Sequence, residues 1–329
     1  MTPRGATPLT LLTGFLGAGK TTVLNRILAG EHGLRIAVMV NDFGDLDIAE
    51  ELISGRTDDT LRLTNGCICC SLKEDLVGAV MDVLHRPDPP EHIVLEASGV
   101  ADPTGIATTL LAPVFGGRVR LDGVICIVDT RELDADHAER DLVLRQLMVS
   151  DLVLLNKVDT VDGAVRERAE SLIRGWLSRA RILPTVHGDA PLEVLLSSMR
   201  APGEPVAGDD PADDDGHACG GDDCDHPAHA HHRDYARWYY RSGDAMDTRA
   251  LADVARELPA SVYRVKGITR LAGTPTRRGL VQGVGRRLEI TPAGECSDPQ
   301  EPTRLVVIGA PDGLDPAWLQ RRFDACRVV

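Results

Sequence analysis

Short runs of consecutive apolar residues alternate with stretches of helical periodicity over the first two hundred residues. Leu9 to Thr13, Ile36 to Val40, Ile93 to Leu95, Val124 to Val128, Leu152 to Leu155 and Ile182 to Val186 read as strands. Between them, Lys20 to Leu28, Leu72 to Leu84, Pro103 to Leu111, Leu142 to Met148 and Val165 to Leu177 read as helices, with Pro103 suited to a first helical turn. Strands that alternate with helices predict an α/β fold: a mostly parallel sheet with helices on both faces. Three of the strands run into a polar residue, namely Glu96, Asp129 and Asn156.

The pattern breaks at Ala201. Residues 201–234 are rich in Asp, His and Pro, and Asp209 to His232 holds almost no bulky apolar residue, so this stretch reads as a flexible acidic linker. A second unit starts near Tyr235. Trp238 to Arg241, Val262 to Ile268, Gly279 to Val284, Leu288 to Thr291 and Leu305 to Gly309 read as strands there, and Thr248 to Leu258 and a segment opened by Pro316 as helices. The expected organisation is a domain over 1–200, the linker, and a smaller α+β domain over 235–329.

Composition narrows the function. There are 36 Lys and Arg against 50 Asp and Glu, a formal net charge of −14, so nucleic acid and anionic membrane are disfavoured as main partners. Local basic character is confined to places such as Arg277, Arg278, Arg286 and Arg287. No apolar run has the length of a membrane span. Eight Cys in 329 residues do not form a secreted disulfide framework, and a reducing cytoplasm is the expected compartment.

The segment Gly14-Phe15-Leu16-Gly17-Ala18-Gly19-Lys20-Thr21, followed by Thr22, fits G-x-x-x-x-G-K-T between a strand and a helix. Its glycines let successive N–H groups turn toward a phosphate, Lys20 can reach the β- and γ-phosphates, and the Thr21 hydroxyl can hold Mg2+. The alternative is an ordinary glycine turn before a helix. Glu96, with Gly99 three residues on, is the first candidate to complete the Mg2+ shell or order the attacking water, and the Gly99 N–H could sense a γ-phosphate. Asp129 is a rival, although strand-end acids are common without any chemical role. Asp42, in Asn41-Asp42-Phe43-Gly44-Asp45, is another; that segment reads either as a nucleotide-sensing switch or as an acidic turn.

Asn156-Lys157-Val158-Asp159 is N-K-x-D at a strand end. The Asp159 carboxylate can accept from guanine N1–H and N2–H2, a donor pair that adenine lacks. Charge-assisted hydrogen bonds of about 1.5–3 kcal/mol each make GTP the expected substrate. The Lys157 stem can cover the purine face, Asn156 can brace the loop, and Gly188 falls near the base.

Asn65-Gly66-Cys67-Ile68-Cys69-Cys70 places three thiols within four residues, just before a helix starting at Ser71. Thiolates prefer soft cations, so Zn2+ is the leading metal and Co2+ its competitor. Three donors leave a fourth position for a side chain from elsewhere, a water or a partner, which suits a metal that is bound and released. Buried packing or a redox role are the alternatives. In the linker, His217, Cys219, Cys224, His226, His229, His231 and His232 form a looser, secondary set of ligands, unless the segment is merely solvated. His32, His85, His92, His137 and His187 carry no usable signal, and Cys126 and Cys326 read as packing residues.

Taken together, the phosphate loop, the thiol cluster and N-K-x-D resemble the CobW-like family of P-loop GTPases over nearly the whole chain. Gly14 to Thr22 resembles that family's G-F-L-G-A-G-K-T-T, Asn65 to Cys70 its thiol signature, and Glu96-Ala97-Ser98-Gly99 its E-x-x-G. Arg264-Val265-Lys266-Gly267 resembles the start of its C-terminal strand region. The resemblance implies a GTP phosphohydrolase that delivers Zn2+, Co2+ or another transition metal to a client apo-metalloprotein. A regulatory GTPase with structural Zn2+, a cobalt-handling GTPase linked to cobalamin synthesis, and a metal store that uses nucleotide only as a structural ligand remain alternatives. Whether the chain forms a homo-oligomer stays open. One departure is Asn41-Asp42-Phe43-Gly44, where many members carry Glu-Phe-Gly after the Asn.

Overall fold

The computed structural model describes residues 6–41, 60–62, 71–133, 140–196, 235–285, 287–295 and 302–328. Seven strands build the first sheet: β1 (Thr7–Thr13), β2 (Ile36–Asn41), β3 (Thr60–Arg62), β4 (His92–Ala97), β5 (Val119–Asp129), β6 (Leu152–Asn156) and β7 (Ile182–Thr185). Their order is β3-β2-β4-β1-β5-β6-β7, and every neighbouring pair is parallel. The helices between them are α1 (Lys20–Ala29), α2 (Ser71–Leu84), α3 (Pro103–Leu111), α4 (Arg140–Met148), α5 (Gly163–Trp176) and α6 (Leu192–Leu195). One sheet face buries Leu9, Leu11, Met39, Ile93 and Leu95 against Val80 and Val83 of α2 and Leu110 of α3. The other packs Leu12, Val38, Val94, Ile125 and Ile127 on Val23, Leu24 and Ile27 of α1. Strands buried on both faces are why the sequence shows continuous apolar runs rather than alternation.

The expected α/β architecture is therefore the observed one, with differences at the element ends. Strand β5 begins at Val119 rather than Val124, because Arg120 and Asp122, which interrupt the apolar run, are both buried and bonded to each other at 3.0 Å. Strand β3 is three residues long, and α6 is a single turn; neither is long enough to show a period.

The second sheet has the order β12-β11-β10-β13-β8. Its strands are β8 (Ala236–Ser242), β9 (Ala245–Met246), β10 (Val262–Leu271), β11 (Thr274–Val284), β12 (Arg287–Glu295), β13 (Thr303–Gly309) and β14 (Arg327–Val328). The five main strands are antiparallel neighbours, with β9 and β14 pairing at one side. Helices α7 (Thr248–Glu257) and α8 (Pro316–Asp324) cover one face. Val265, Val281, Val307 and Tyr240 meet Leu251, Val254, Leu319 and Phe323 there. Strands β10 to β12 run past the apolar runs that signal them, β10 on to Leu271, β11 from Thr274 and β12 on to Glu295, and the other face of this sheet carries Arg264, Lys266 and Gln282.

That other face meets the parallel sheet. Tyr263, Val284 and Ile308 enter the α1-side core beside Leu152, Leu183 and Val194. Between the two sheets, Arg264 Nη2 donates to Asp122 Oδ2 at 2.6 Å and its Nη1 to the Val194 carbonyl at 2.9 Å, while Arg120 Nη1 donates to Asp122 Oδ1 at 3.0 Å. Arg264 is 1% exposed and Asp122 4%. Burial by itself would push the Asp122 carboxyl up, but the positive charge of Arg264 and Arg120 holds it well below the usual carboxylate range. His92 stands in the same neighbourhood, fully buried, with its Nε2 2.8 Å from the Thr10 hydroxyl. Burial pushes its pKa down to about 4, so the ring is neutral at neutral pH. Backbone-directed bonds complete the join: Arg181 Nε to the Val262 carbonyl at 2.5 Å and the Tyr263 hydroxyl to the Ile182 carbonyl at 3.3 Å.

Candidate functional site

The loop after β1 lies where the chain changes direction across the sheet, with β4 on one side of β1 and β5 on the other. Ligands of open parallel sheets bind beyond the carboxyl ends of the strands at such a point. Gly14 has φ 138°, and a Cβ there would collide with the Ile127 carbonyl of β5, so only glycine lets the loop leave the sheet in this direction. Gly19, at φ 109°, is the residue before α1 and supplies no side-chain cap. By contrast, Asp102, Asp162, Asp247 and Asp315 cap α3, α5, α7 and α8, each accepting from a backbone N–H of its first turn. The first N–H groups of α1 are thus left for an anion, which the helix dipole also favours.

Lys20 is 7% exposed, and its Nζ donates to the Phe15 carbonyl at 3.0 Å, so the ammonium folds over the loop it follows. Parallel pairing sets Leu12 beside Glu96 and brings the end of β4 next to the start of α1. The Thr21 hydroxyl donates to Glu96 Oε1 at 3.0 Å. Two hard oxygen donors this close to an uncapped helix start fit Mg2+, which takes carboxylate and hydroxyl oxygen together with substrate phosphate. Gly99 follows at close quarters: a Cβ on it would stand 2.8 Å from the Leu16 backbone nitrogen. Asp129 is placed elsewhere. Its Oδ2 accepts from Lys157 Nζ at 2.7 Å and its Oδ1 from the Arg131 N–H at 3.0 Å. The fold brings Glu96 to Thr21 and ties Asp129 to the N-K-x-D loop.

At that loop, Asn156 is 2% exposed and makes three connections. Its Nδ2 donates to the Ala18 carbonyl at 2.9 Å, and its Oδ1 accepts from the Thr185 hydroxyl at 3.1 Å and the Gly188 N–H at 2.8 Å. One amide thus joins the phosphate loop, the end of β7 and the turn beyond it. Lys157 takes a left-handed conformation at φ 62°, which starts the short turn Val158–Thr160 and leaves Asp159 exposed. The Asp159 carboxylate accepts no hydrogen bond among the described residues. Beyond β7, Arg26 of α1 holds the turn, donating from Nε to the His187 carbonyl at 2.7 Å and from Nη1 to Asp189 at 2.8 Å.

Several sequence candidates lie outside the described residues: Asp42, Cys67, Cys69 and Cys70, and the linker ligands His217, Cys219, Cys224, His226, His229, His231 and His232. Among the described residues no group of three His, Cys, Asp or Glu side chains could hold a metal. Cys126 and Cys326 are buried free thiols, as their reading as packing residues expects, and burial pushes them up to about 12 and about 11. No helix among the described residues is long and apolar enough to cross a membrane. The sequence sets His92 among histidines with no usable signal and does not single out Arg26 or Gln146. The last is fully buried on α4 beside Val143 and Leu147, and a polar residue in the apolar phase of a helix is the signal that could have found it.

A parallel sheet whose first strand opens into a glycine loop, Lys and uncapped helix, with a Thr–carboxylate pair beside it, defines a P-loop nucleotide-binding protein. Residues 8–184 match the CobW/HypB/UreG nucleotide-binding domain, and residues 235–327 match the cobalamin synthesis protein cobW C-terminal domain. The chain belongs to this CobW-like family of P-loop GTPases. It is 30% identical over 358 residues to a Sinorhizobium protein named zinc chaperone CobW, covering 98% of both chains. A Pseudomonas aeruginosa protein of the same name is 32% identical over 342 residues, covering 92% of this chain and 87% of that one. The crystal structure of Zn(II)-bound YjiA GTPase from Escherichia coli aligns over 99% of this chain and 100% of that one at 25% identity. Its TM-score is 0.44, so membership rests on the sequence matches.

Proposed function

We propose that this protein hydrolyses GTP and uses the cycle to carry a transition metal, Zn2+ first, from the thiols of Cys67, Cys69 and Cys70 to a client apo-metalloprotein. The observation that carries the nucleotide half is the Asn156 amide, which fixes the phosphate loop and the N-K-x-D loop to one another through Ala18 and Gly188. That link holds Asp159 at a set distance from Lys20, as one guanine nucleotide spanning both would require. Lys20, Thr22 and the backbone of Gly14, Gly17, Ala18 and Gly19 bind the phosphates. Thr21 and Glu96 hold Mg2+, whose chemistry there is to neutralise charge on the phosphate oxygens. Gly99 faces the terminal phosphate, and Asn156, Lys157 and Asp159 take the base.

The metal half is supported by the three thiols of Asn65 to Cys70 and by relatives whose names are those of zinc chaperones. The thiol segment lies in the chain between β3 and α2, two elements before Glu96. A movement that follows the γ-phosphate could therefore change the metal geometry. The histidines and cysteines of the linker supply a weaker second set of ligands that gathers metal.

The test titrates Zn2+, Co2+ and Ni2+ into the reduced protein with GTP-Mg2+ and with GDP-Mg2+, with hydrolysis followed in parallel. The expected result is a metal affinity that differs between the two nucleotide states and is lost in a Cys67→Ala, Cys69→Ala variant. Equal affinity in both states overturns the coupling. Unchanged binding in the variant moves the cargo to the linker, and metal that never passes to any apo-protein leaves a GTPase with structural Zn2+.

A further inference from the structure

Gln146 belongs to neither half of that reading, yet it is placed where the two loops could communicate. It lies on α4, is fully buried, and is directed at the turn that follows β4. Its Nε2 donates to the Gly99 carbonyl at 3.1 Å and to the Ala101 carbonyl at 3.3 Å. The turn is closed on itself by the Ala101 N–H, which donates to the Ser98 carbonyl at 3.0 Å. Gln146 Oε1 is buried and makes no hydrogen bond among the described residues, so the amide orientation follows the two carbonyls that its Nε2 meets. Leaving a buried acceptor unsatisfied is costly, and such a group in a folded protein calls for an explanation.

The same side chain lines a mainly apolar cleft together with Phe15 of the phosphate loop, Cys126 and Asp129. Helix α4 then leads through Ser150 and Asp151 into β6, whose last residue is Asn156. Thus one helix touches the turn at Gly99, shares a cleft with Phe15 of the phosphate loop, and leads into the strand that carries the base motif. A planar amide that bonds two carbonyls of one turn fixes the peptide planes on either side, and with them the direction of the N–H groups.

We propose that Gln146 is a positioning residue for the terminal phosphate: by holding the Gly99 and Ala101 carbonyls it sets the turn that distinguishes a nucleoside triphosphate from a diphosphate. This rests on the proposed placement of Gly99 at the γ-phosphate. Gln146 touches neither nucleotide nor Mg2+; it acts through the turn, and the preference of the protein for triphosphate over diphosphate depends on it. A residue of merely structural value would change both affinities together.

The experiment measures affinity for a non-hydrolysable GTP analogue and for GDP, both with Mg2+, in the full chain. Gln146→Met keeps the volume and removes the donors. The expected result is a loss of triphosphate affinity of about tenfold, as two weakened hydrogen bonds would give, with GDP affinity unchanged. A Gly99→Ala variant, whose methyl would press on Leu16, tests the underlying reading. If Gly99→Ala loses the triphosphate preference and Gln146→Met keeps it, Gln146 has no such role although the turn does. If neither variant changes a preference that the natural chain possesses, both the turn assignment and the Gln146 proposal fall. Equal losses for GTP analogue and GDP in Gln146→Met also overturn it. Should Gln146→Met not fold, the natural chain gives the answer: the Gln146 side-chain NH2 resonances shift when the GTP analogue replaces GDP, and identical spectra in the two states sink the idea.

Discussion

The two ends of the parallel sheet use buried polar groups in opposite ways. At the carboxyl end, the start of α1 has no side-chain cap, Asp159 is exposed, and Lys20 donates to the Phe15 carbonyl and Thr21 to Glu96, each at 3.0 Å. At the other end, where the second sheet docks, Asp122 is closed in by Arg264 and Arg120, and Arg264 also reaches the Val194 carbonyl. The first arrangement leaves bonding capacity for a charged ligand; the second uses its capacity within the chain. Buried charge is tolerated in both: at the carboxyl end Asp129 pairs with Lys157 at 2.7 Å, and at the docking end Asp122 is shared by Arg264 and Arg120, where no ligand is needed to balance it.

If this contrast is right, mutations at the docking end should cost stability and spare nucleotide affinity. Asp122→Ala removes the carboxylate shared by two buried guanidinium groups, leaving Arg264 with the Val194 carbonyl and Arg120 with Glu289 at 3.9 Å, and the expected loss is about 3–5 kcal/mol in a denaturant titration. Nucleotide affinity measured well below the midpoint should not move; a large loss of affinity there would erase the distinction between the ends. At the nucleotide end, Asn156→Ala removes the bonds to Ala18, Thr185 and Gly188. A penalty of roughly 2–3 kcal/mol is expected to appear mainly as weaker GTP binding, read by calorimetry. Asp159→Ala is smaller still: about tenfold lower affinity for GTP at unchanged stability, with preference over ATP reduced.

The weakest of the expected effects sharpens the comparison by pH. His92 has its pKa lowered from 6.5 to about 4 by burial. Between those values the unfolded chain binds the proton and the folded chain does not, so stability is fully present above 6.5 and falls as pH drops toward 4. A loss of roughly 1 kcal/mol by about pH 5.5 is expected, and His92→Gln should flatten that slope. Asp122, held low, keeps its contribution through this window and loses it only in stronger acid.

Much of the parallel domain was readable from its residues because local order and tertiary role coincide there. Strands such as β4 and β6 are buried on every residue, so their apolar runs announce them, and the phosphate loop is a contiguous string. The same sequence gives no usable signal at His92 and does not single out Gln146. The partners of His92, Thr10 and Asp122, and those of Gln146, Gly99 and Ala101, lie far away in the chain and leave no local period. The apolar run also shortens β5, where Arg120 and Asp122 look like a strand end until Arg264 is in place. Among the acids considered for Mg2+, the sequence left Glu96, Asp129 and Asp42 in competition; parallel pairing of β1 with β4 brings Glu96 to Thr21, Lys157 pairs with Asp129, and Asp42 lies outside the described residues.

By itself the order of residues determined the kinds of element, the loop that turns N–H groups to an anion, and the thiol and N-K-x-D strings, since each depends on neighbours a few positions apart. Only the tertiary structure decided which carboxylate meets which hydroxyl, that one asparagine joins two loops, and that a charged strand can be buried. Those outcomes depend on partners separated by tens to more than a hundred residues, and a buried polar group is stable only once that distant partner has arrived.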